Sequence, residues 1–240
     1  CGSLTMDADV LVAGETGSVE APSTVVLIEA EKTILVDTSF GEPQLMAARH
    51  PGFACHRGPD QSLRAVLDSE GYVPGDINAV VLTHLDWDHC YNLTLFDSTT
   101  TVYVQQDELE YATAPYPMHA TRYEADADNR EPPWHGTDLT PVDGKTRLCP
   151  GVVLFPTPGH TVGHQSVAVA TDDGTTVVAG DAVPTFDNVS LPAATPRQRG
   201  LAMDDIAWWE SATDVLTRGD RILPGHEWAI LDATPAGLLE

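Results

Sequence analysis

The 240-residue chain carries 36 acidic residues against 12 basic ones, a formal charge of −24. A field of that sign disfavours nucleic acid and anionic membranes, which need basic surface against their phosphates. No run of eighteen apolar residues marks a membrane span, so the composition points to one soluble domain, 1–240, cytoplasmic and from a high-salt cell where screening removes most self-repulsion.

Four cysteines without CxxC spacing fit reduced thiols rather than a disulfide framework. In chain order, Val10 to Val12 and Thr24 to Glu29 read as strands, and Glu29-Ala30-Glu31-Lys32 as a hairpin connection into Thr33 to Asp37. Thr38 to Gly41 is a polar loop, and Gln44 to Arg49 a short helix stopped before Pro51. Asp60 is an N-cap for a helix whose Leu63, Val66 and Leu67 form one apolar stripe ending at Gly71. Ile77 to Thr83 is a buried strand, Thr101 to Gln105 another, and Asp107 to Thr113 a short helix.

The stretch 115–141 is rich in proline, charge and aromatics without periodicity, and reads as a lid or insertion. It either covers the site or mediates a homodimer. The second half supplies strands at Val152 to Phe155, Ser166 to Ala170 and Thr175 to Ala179, the last two joined by an Asp-Asp-Gly turn. A helix over Asp204 to Arg218 follows, with Ile206, Trp209, Ala212, Val215 and Leu216 inward, then a strand at Arg221 to Leu223. Two strand-rich halves with helices outside imply an α/β protein of four layers: an αββα sandwich of two mixed β-sheets flanked by helices.

Directly after the Ile77 to Thr83 strand, His84, Asp86, Asp88 and His89 place four metal-ligand side chains in six positions. Imidazoles and carboxylates are the groups that bind divalent ions. Pro158-Gly159-His160, Gly180-Asp181 and Pro224-Gly225-His226 each end an apolar strand with one more such residue beside a glycine, where backbone can approach closely. The groups converge only if their strands are neighbours.

On these residues the chain resembles the metallo-β-lactamase-fold hydrolases, from Val36-Asp37-Thr38 through Thr83 to His89, Thr157 to Thr161, Ala179-Gly180-Asp181 and Leu223-Pro224-Gly225-His226. The resemblance implies two divalent metal ions between two sheets. His84 and His160 would bind the first, with Asp86 in place of the middle His of the family's HxHxDH motif. Asp88, His89 and His226 would bind the second, and Asp181 would bridge. Order and spacing are most similar to the branch containing N-acyl-homoserine lactonases. Zinc is the ion implied, with manganese or iron as alternatives because an aspartate is a harder ligand than the histidine it replaces. The other reading of Asp86 is a non-ligating group beside a single-metal site. The lactonases' tyrosine three residues beyond the bridging Asp is Pro184 here, so Tyr116, His119 and Tyr123 become the candidates for substrate binding.

The expected chemistry is hydrolysis of a small-molecule ester or lactone by a metal-bound hydroxide, with Asp88 or Asp181 as the catalytic carboxylate relaying a proton to the leaving alkoxide. The alternatives are a di-iron redox protein, since the fold hosts such proteins with an acidic residue at the Asp86 position, and a non-catalytic metal or small-ligand binder. His164 reads as a structural hydrogen-bonder, Cys90 as a small buried residue, and His50, His56 and His135 as solvated.

Overall fold

Strand alternation decides which side chains fill which layer. The structure is a computed structural model whose described residues are 1–125, 130–190, 195–198 and 200–232. The chain begins with the antiparallel pair β1 (Ser3–Asp7) and β2 (Ser18–Pro22). The hairpin β3 (Val26–Glu29) and β4 (Thr33–Val36) follows, then helix α1 (Pro43–Arg49) and β5 (Ala54–His56), which pairs with the other edge of β1. Next come α2 (Leu63–Ser69), β6 (Ala79–Val81), β7 (Thr101–Gln105), α3 (Gln106–Thr113) and β8 (Leu139–Val142). They complete a five-stranded mixed sheet ordered β3-β4-β6-β7-β8.

The second half contributes β9 (Thr146–Cys149), β10 (Val152–Pro156), β11 (Gln165–Thr171) and β12 (Gly174–Gly180). A short pair, β13 (Val189–Ser190) and β14 (Thr195–Pro196), precedes α4 (Asp205–Arg218), β15 (Arg221–Pro224) and α5 (Ala229–Asp232). The second sheet runs β15-β12-β11-β10-β9, parallel at β12/β15 and antiparallel elsewhere.

The central strands of both sheets are buried on both faces. Ile34, Val36, Ala79 and Val81 of the first meet Val152, Leu154, Val167, Val178 and Leu223 of the second. One residue out of phase, Leu35 and Val80 pack with Leu63 and Leu67 of α2 and Ala112 of α3, while Val177 and Ala179 pack with Trp208, Ala212 and Val215 of α4. Each such aliphatic side chain contributes roughly 1.5–3 kcal/mol on burial. The result is the four-layer helix-sheet-sheet-helix order expected from the sequence, with a small third sheet of β2, β1 and β5 beside it.

Several element assignments need correction. Val10 to Val12 is not a strand: the first strand is β1, where Leu4 and Met6 alternate inward, and Ala8–Val10 is a single 3-10 turn capped by Asp7. Ser62, not Asp60, caps α2, its Oγ accepting from the Ala65 N–H. The buried face of α4 is set by Trp208, Ser211, Ala212 and Val215, leaving Ile206 75 % and Trp209 46 % exposed. Trp208 wins because its Nε1–H donates to the Ala182 carbonyl at 2.9 Å. Leu139 to Pro141 belongs to a strand rather than to the irregular segment, and residues 126–129 of that segment lie outside the described residues.

The two sheets are tied together at one end. Gln165 N–H donates to the Thr83 carbonyl and Gln165 Nε2 to the Leu82 carbonyl, both at 2.8 Å, while Gln105 Nε2 donates to Gln165 Oε1 at 2.9 Å. At this end lie the loops after β4, β6, β10, β12 and β15. Gly159 (φ +128°) lets α4 come close, for a Cβ there would lie 2.1 Å from the Trp208 backbone nitrogen.

Candidate metal centre

Four histidines in these loops are fixed through Nδ1. His84 Nδ1 lies 2.9 Å from Thr83 Oγ1, whose own proton goes to Asp37 Oδ2 at 2.7 Å, so the imidazole is the donor. His89 Nδ1 donates to Asp37 Oδ2 at 2.8 Å, His160 Nδ1 to the Leu201 carbonyl at 2.9 Å, and His226 Nδ1 to the Pro22 carbonyl at 2.9 Å. Each Nε2 is thereby turned inward, as the nitrogen that a metal ion would take. His84 Nε2 and His89 Nε2 are buried without a hydrogen-bond partner, a cost that a cation would remove.

Asp37 is the organiser that sequence reasoning missed. At φ 61° it closes β4 in the left-handed region and accepts the Thr83 N–H, the Thr83 hydroxyl and the His89 imidazole. Its signal in the sequence is a lone acid ending an apolar strand. Asp181 is oriented differently: its N–H donates to His164 Nε2 at 3.0 Å. The His164 Nδ1–H is passed on through Thr157 Oγ1 and Ser166 Oγ to the Ala179 carbonyl. Burial, reinforced by the neighbouring imidazoles, lowers the His164 pKa far enough to keep it a neutral acceptor. His164 is therefore the structural hydrogen-bonder its turn suggests.

Asp181 Oδ1 lies 3.1 Å from His226 Nε2 and 3.5 Å from His89 Nε2, and its Oδ2 lies 3.3 Å from His160 Nε2. Asp88 Oδ2 is 3.8 Å from His89 Nε2 and 4.0 Å from His226 Nε2. The donors form three overlapping groups with ligand atoms within 4.8 Å of one another: His84, Asp86 and His160; His84, His89 and Asp181; Asp88, His89 and His226. All seven expected ligand residues thus meet at one place, and the last two groups, imidazole nitrogens facing carboxylate oxygens, fit a divalent ion.

The first group holds a side chain that sequence reasoning did not anticipate. Arg122 Nε donates to both Asp86 oxygens at 3.0 Å, and Nη2 donates to Asp86 Oδ2 at 2.5 Å and to His160 Nε2 at 2.8 Å. Burial would raise the Asp86 pKa, but the guanidinium and the neighbouring imidazoles hold it well below the usual carboxylate range.

Beneath the cluster, the fully buried Glu108 joins two loops by accepting the Leu85 N–H at 3.0 Å and the Gly163 N–H at 2.9 Å. A Cβ on Gly163 would lie 2.1 Å from the Glu108 nitrogen. Cys90 is buried, as expected.

A cavity of about 110 Å³ opens onto the cluster. Asp86, Asp88, Arg122, His160, Asp181 and His226 meet an apolar wall there that includes Met6, Leu11, Phe53 and Leu201. Tyr116, His119 and Tyr123 are not among its lining residues. Tyr116 is 66 % exposed, His119 pairs with the Tyr111 hydroxyl at 2.6 Å, and Tyr123 is buried in the core beside Leu82 and Leu85. His50 also needs correction: it is buried, not solvated, because it stacks on Trp87 at 4.0 Å and its Nε2 meets Glu124 Oε1 at 2.8 Å.

Burial opposes a charge on His89, yet Asp88, Asp37 and Asp181 outweigh it and raise its pKa to about 10. Because that value lies above the ordinary 6.5, its contribution to the stability of the ion-free protein is full below pH 6.5 and is lost as pH climbs toward about 10. An incoming metal ion must displace this proton. Zinc uptake near neutral pH is therefore expected to release protons and to weaken as pH falls, read by titration calorimetry in buffers of different ionisation enthalpy. Proton-neutral uptake would contradict this.

The family model described as "Metallo-beta-lactamase superfamily" matches residues 18–226. A "Probable metallo-hydrolase" of Mycobacterium tuberculosis is 30 % identical over 172 residues, covering 66 % of this chain and 56 % of the relative. An N-acyl homoserine lactonase of Bacillus thuringiensis is 31 % identical over 124 residues, covering 51 % and 45 %. The chain spans about half the length of the curated relatives it matches. A solved N-acyl homoserine lactone hydrolase, with N-hexanoyl-L-homoserine at its catalytic metal center, superposes with a TM-score of 0.78 at 22 % identity, covering 97 % and 93 %. A "probable metal-dependent hydrolase" of Staphylococcus aureus does so with 0.76 at 19 %, covering 94 % and 86 %. At these identities the two structures show a shared fold.

Proposed function

The chain belongs to the metallo-beta-lactamase superfamily, and on that premise we propose that it is a metal-dependent hydrolase cleaving the acyl–oxygen bond of a small lactone or ester. The observation that carries the reading is the set of four imidazoles anchored through Nδ1, with their Nε2 atoms gathered around Asp88 and Asp181. His89, His226, Asp88 and Asp181, with His84 beside them, are the residues that would hold a divalent ion, zinc first. Bound there, the ion supplies Lewis acidity, polarising a carbonyl and making water acidic near neutral pH.

The chain's own groups complete the reaction. Asp88, with a side chain 16 % exposed, is the most open of the three cluster carboxylates and faces the cavity. It takes the proton that water loses as its oxygen bonds to the carbonyl carbon, and returns it to the alkoxide released when the acyl–oxygen bond breaks. Asp181 holds His89 and His226 in register. The apolar wall suits a hydrocarbon acyl or alkyl portion, and the −24 charge disfavours polyanionic substrates. Relatives named as N-acyl homoserine lactonases support a lactone in particular. The Asp86 carboxylate that motivates a di-iron redox alternative is engaged by Arg122, which removes that motive.

The test is ring opening of a panel of aliphatic lactones, with aryl esters beside them, before and after chelation and again after zinc is restored. Zinc-dependent turnover is expected. Tight zinc binding with no turnover on any member would favour the ligand-binding alternative.

A further inference from the structure

Arg122 stands where a cation belongs. Its Nε and Nη2 atoms take up Asp86 and the Nε2 of His160, two of the three residues in the His84, Asp86, His160 group. In the neutral imidazole whose Nδ1–H goes to Leu201, His160 Nε2 accepts from the guanidinium, and the same nitrogen lies 3.1 Å from Asp86 Oδ2.

The arginine is built in rather than folded over from the surface. Its carbonyl accepts the Trp87 N–H at 3.0 Å. The next residue, Tyr123, is fully buried, and Glu124, in the left-handed region at φ 52°, binds Arg49 and His50. With the backbone pinned on these sides, the Arg122 side chain is 13 % exposed.

Electrostatics within the first subsite point the same way: the guanidinium already faces Asp86 there, and a divalent ion beside it would bring like charges together in a low-dielectric pocket. A guanidinium does not yield its place by losing a proton.

We infer that Arg122 is the resident cation of the first subsite, so that the chain binds one divalent ion, at Asp88, His89, Asp181 and His226, instead of two. The inference rests on the metal-hydrolase reading and gives position 86 a reason to be aspartate: a carboxylate can take a two-point contact from a guanidinium, which an imidazole cannot.

The test compares zinc bound per chain in the wild type, Arg122→Ala and Arg122→Lys after stripping, reloading with Zn(II) alone and desalting, with thermal unfolding as the check on folding. One ion is expected in the wild type and in Arg122→Lys, and two in Arg122→Ala. Two ions in the wild type would overturn the inference while leaving the hydrolase reading in place. One ion in a folded Arg122→Ala would overturn the guanidinium as the excluding group. No ion in any of the three would overturn both readings. Should Arg122→Ala fail to fold, the wild-type count alone decides, one ion sustaining the inference and two overturning it.

Discussion

Asp181→Ala is expected to lower kcat/KM for lactone hydrolysis by at least about 10–100-fold, the loss associated with removing a group that holds and orients metal-binding imidazoles. The side chain contacts His89, His160 and His226, so its removal takes away the one carboxylate that reaches imidazoles from three different loops. The backbone need not move, since the Asp181 N–H remains on His164 Nε2. Asp181→Asn keeps the shape and loses the charge, and a comparable loss of activity in that variant identifies the charge as the cause. Full hydrolysis in folded Asp181→Ala would contradict the assignment.

Asp37→Ala is expected to be nearly as damaging, by another route. Its carboxylate satisfies three donors, the Thr83 N–H, the Thr83 hydroxyl and the His89 imidazole, and each buried donor left unsatisfied costs about 1–3 kcal/mol. His89 also loses the contact that fixes its tautomer, so metal affinity should fall about 10–100-fold. Denaturant unfolding and zinc titration read the two effects separately. Asp37→Asn, which retains one acceptor oxygen, should recover part of the stability. Unchanged zinc affinity in Asp37→Ala would show that His89 needs no such support.

The ligand cluster is legible in the sequence because its signals are local: a buried strand followed by four ligand types, and glycine-flanked His160, Asp181 and His226 at later strand ends. Arg122 and Glu108 are not legible, and Asp37 shows only as an acid ending an apolar strand, since their roles depend on which loops tertiary packing brings together. An arginine between Thr121 and Tyr123 in an irregular stretch gives no sign that it faces Asp86. The edge strands β8 and β9 are not legible for a related reason: Thr140, Pro141 and Arg147 are exposed, which breaks any apolar run, and Pro141 in β8 is a residue tolerated in a strand at an edge. In α4, Ile206 and Trp209 fit helical spacing as well as Trp208 and Ser211 do. The indole hydrogen bond and the close approach of Gly159, neither visible in periodicity, select the observed face.

The most direct measurement follows lactone hydrolysis while zinc is returned stepwise to stripped protein and bound zinc is counted at each step. Hydrolysis is predicted to be absent from the stripped protein and to rise in proportion to bound zinc. A stripped protein that retains its full rate would contradict the account.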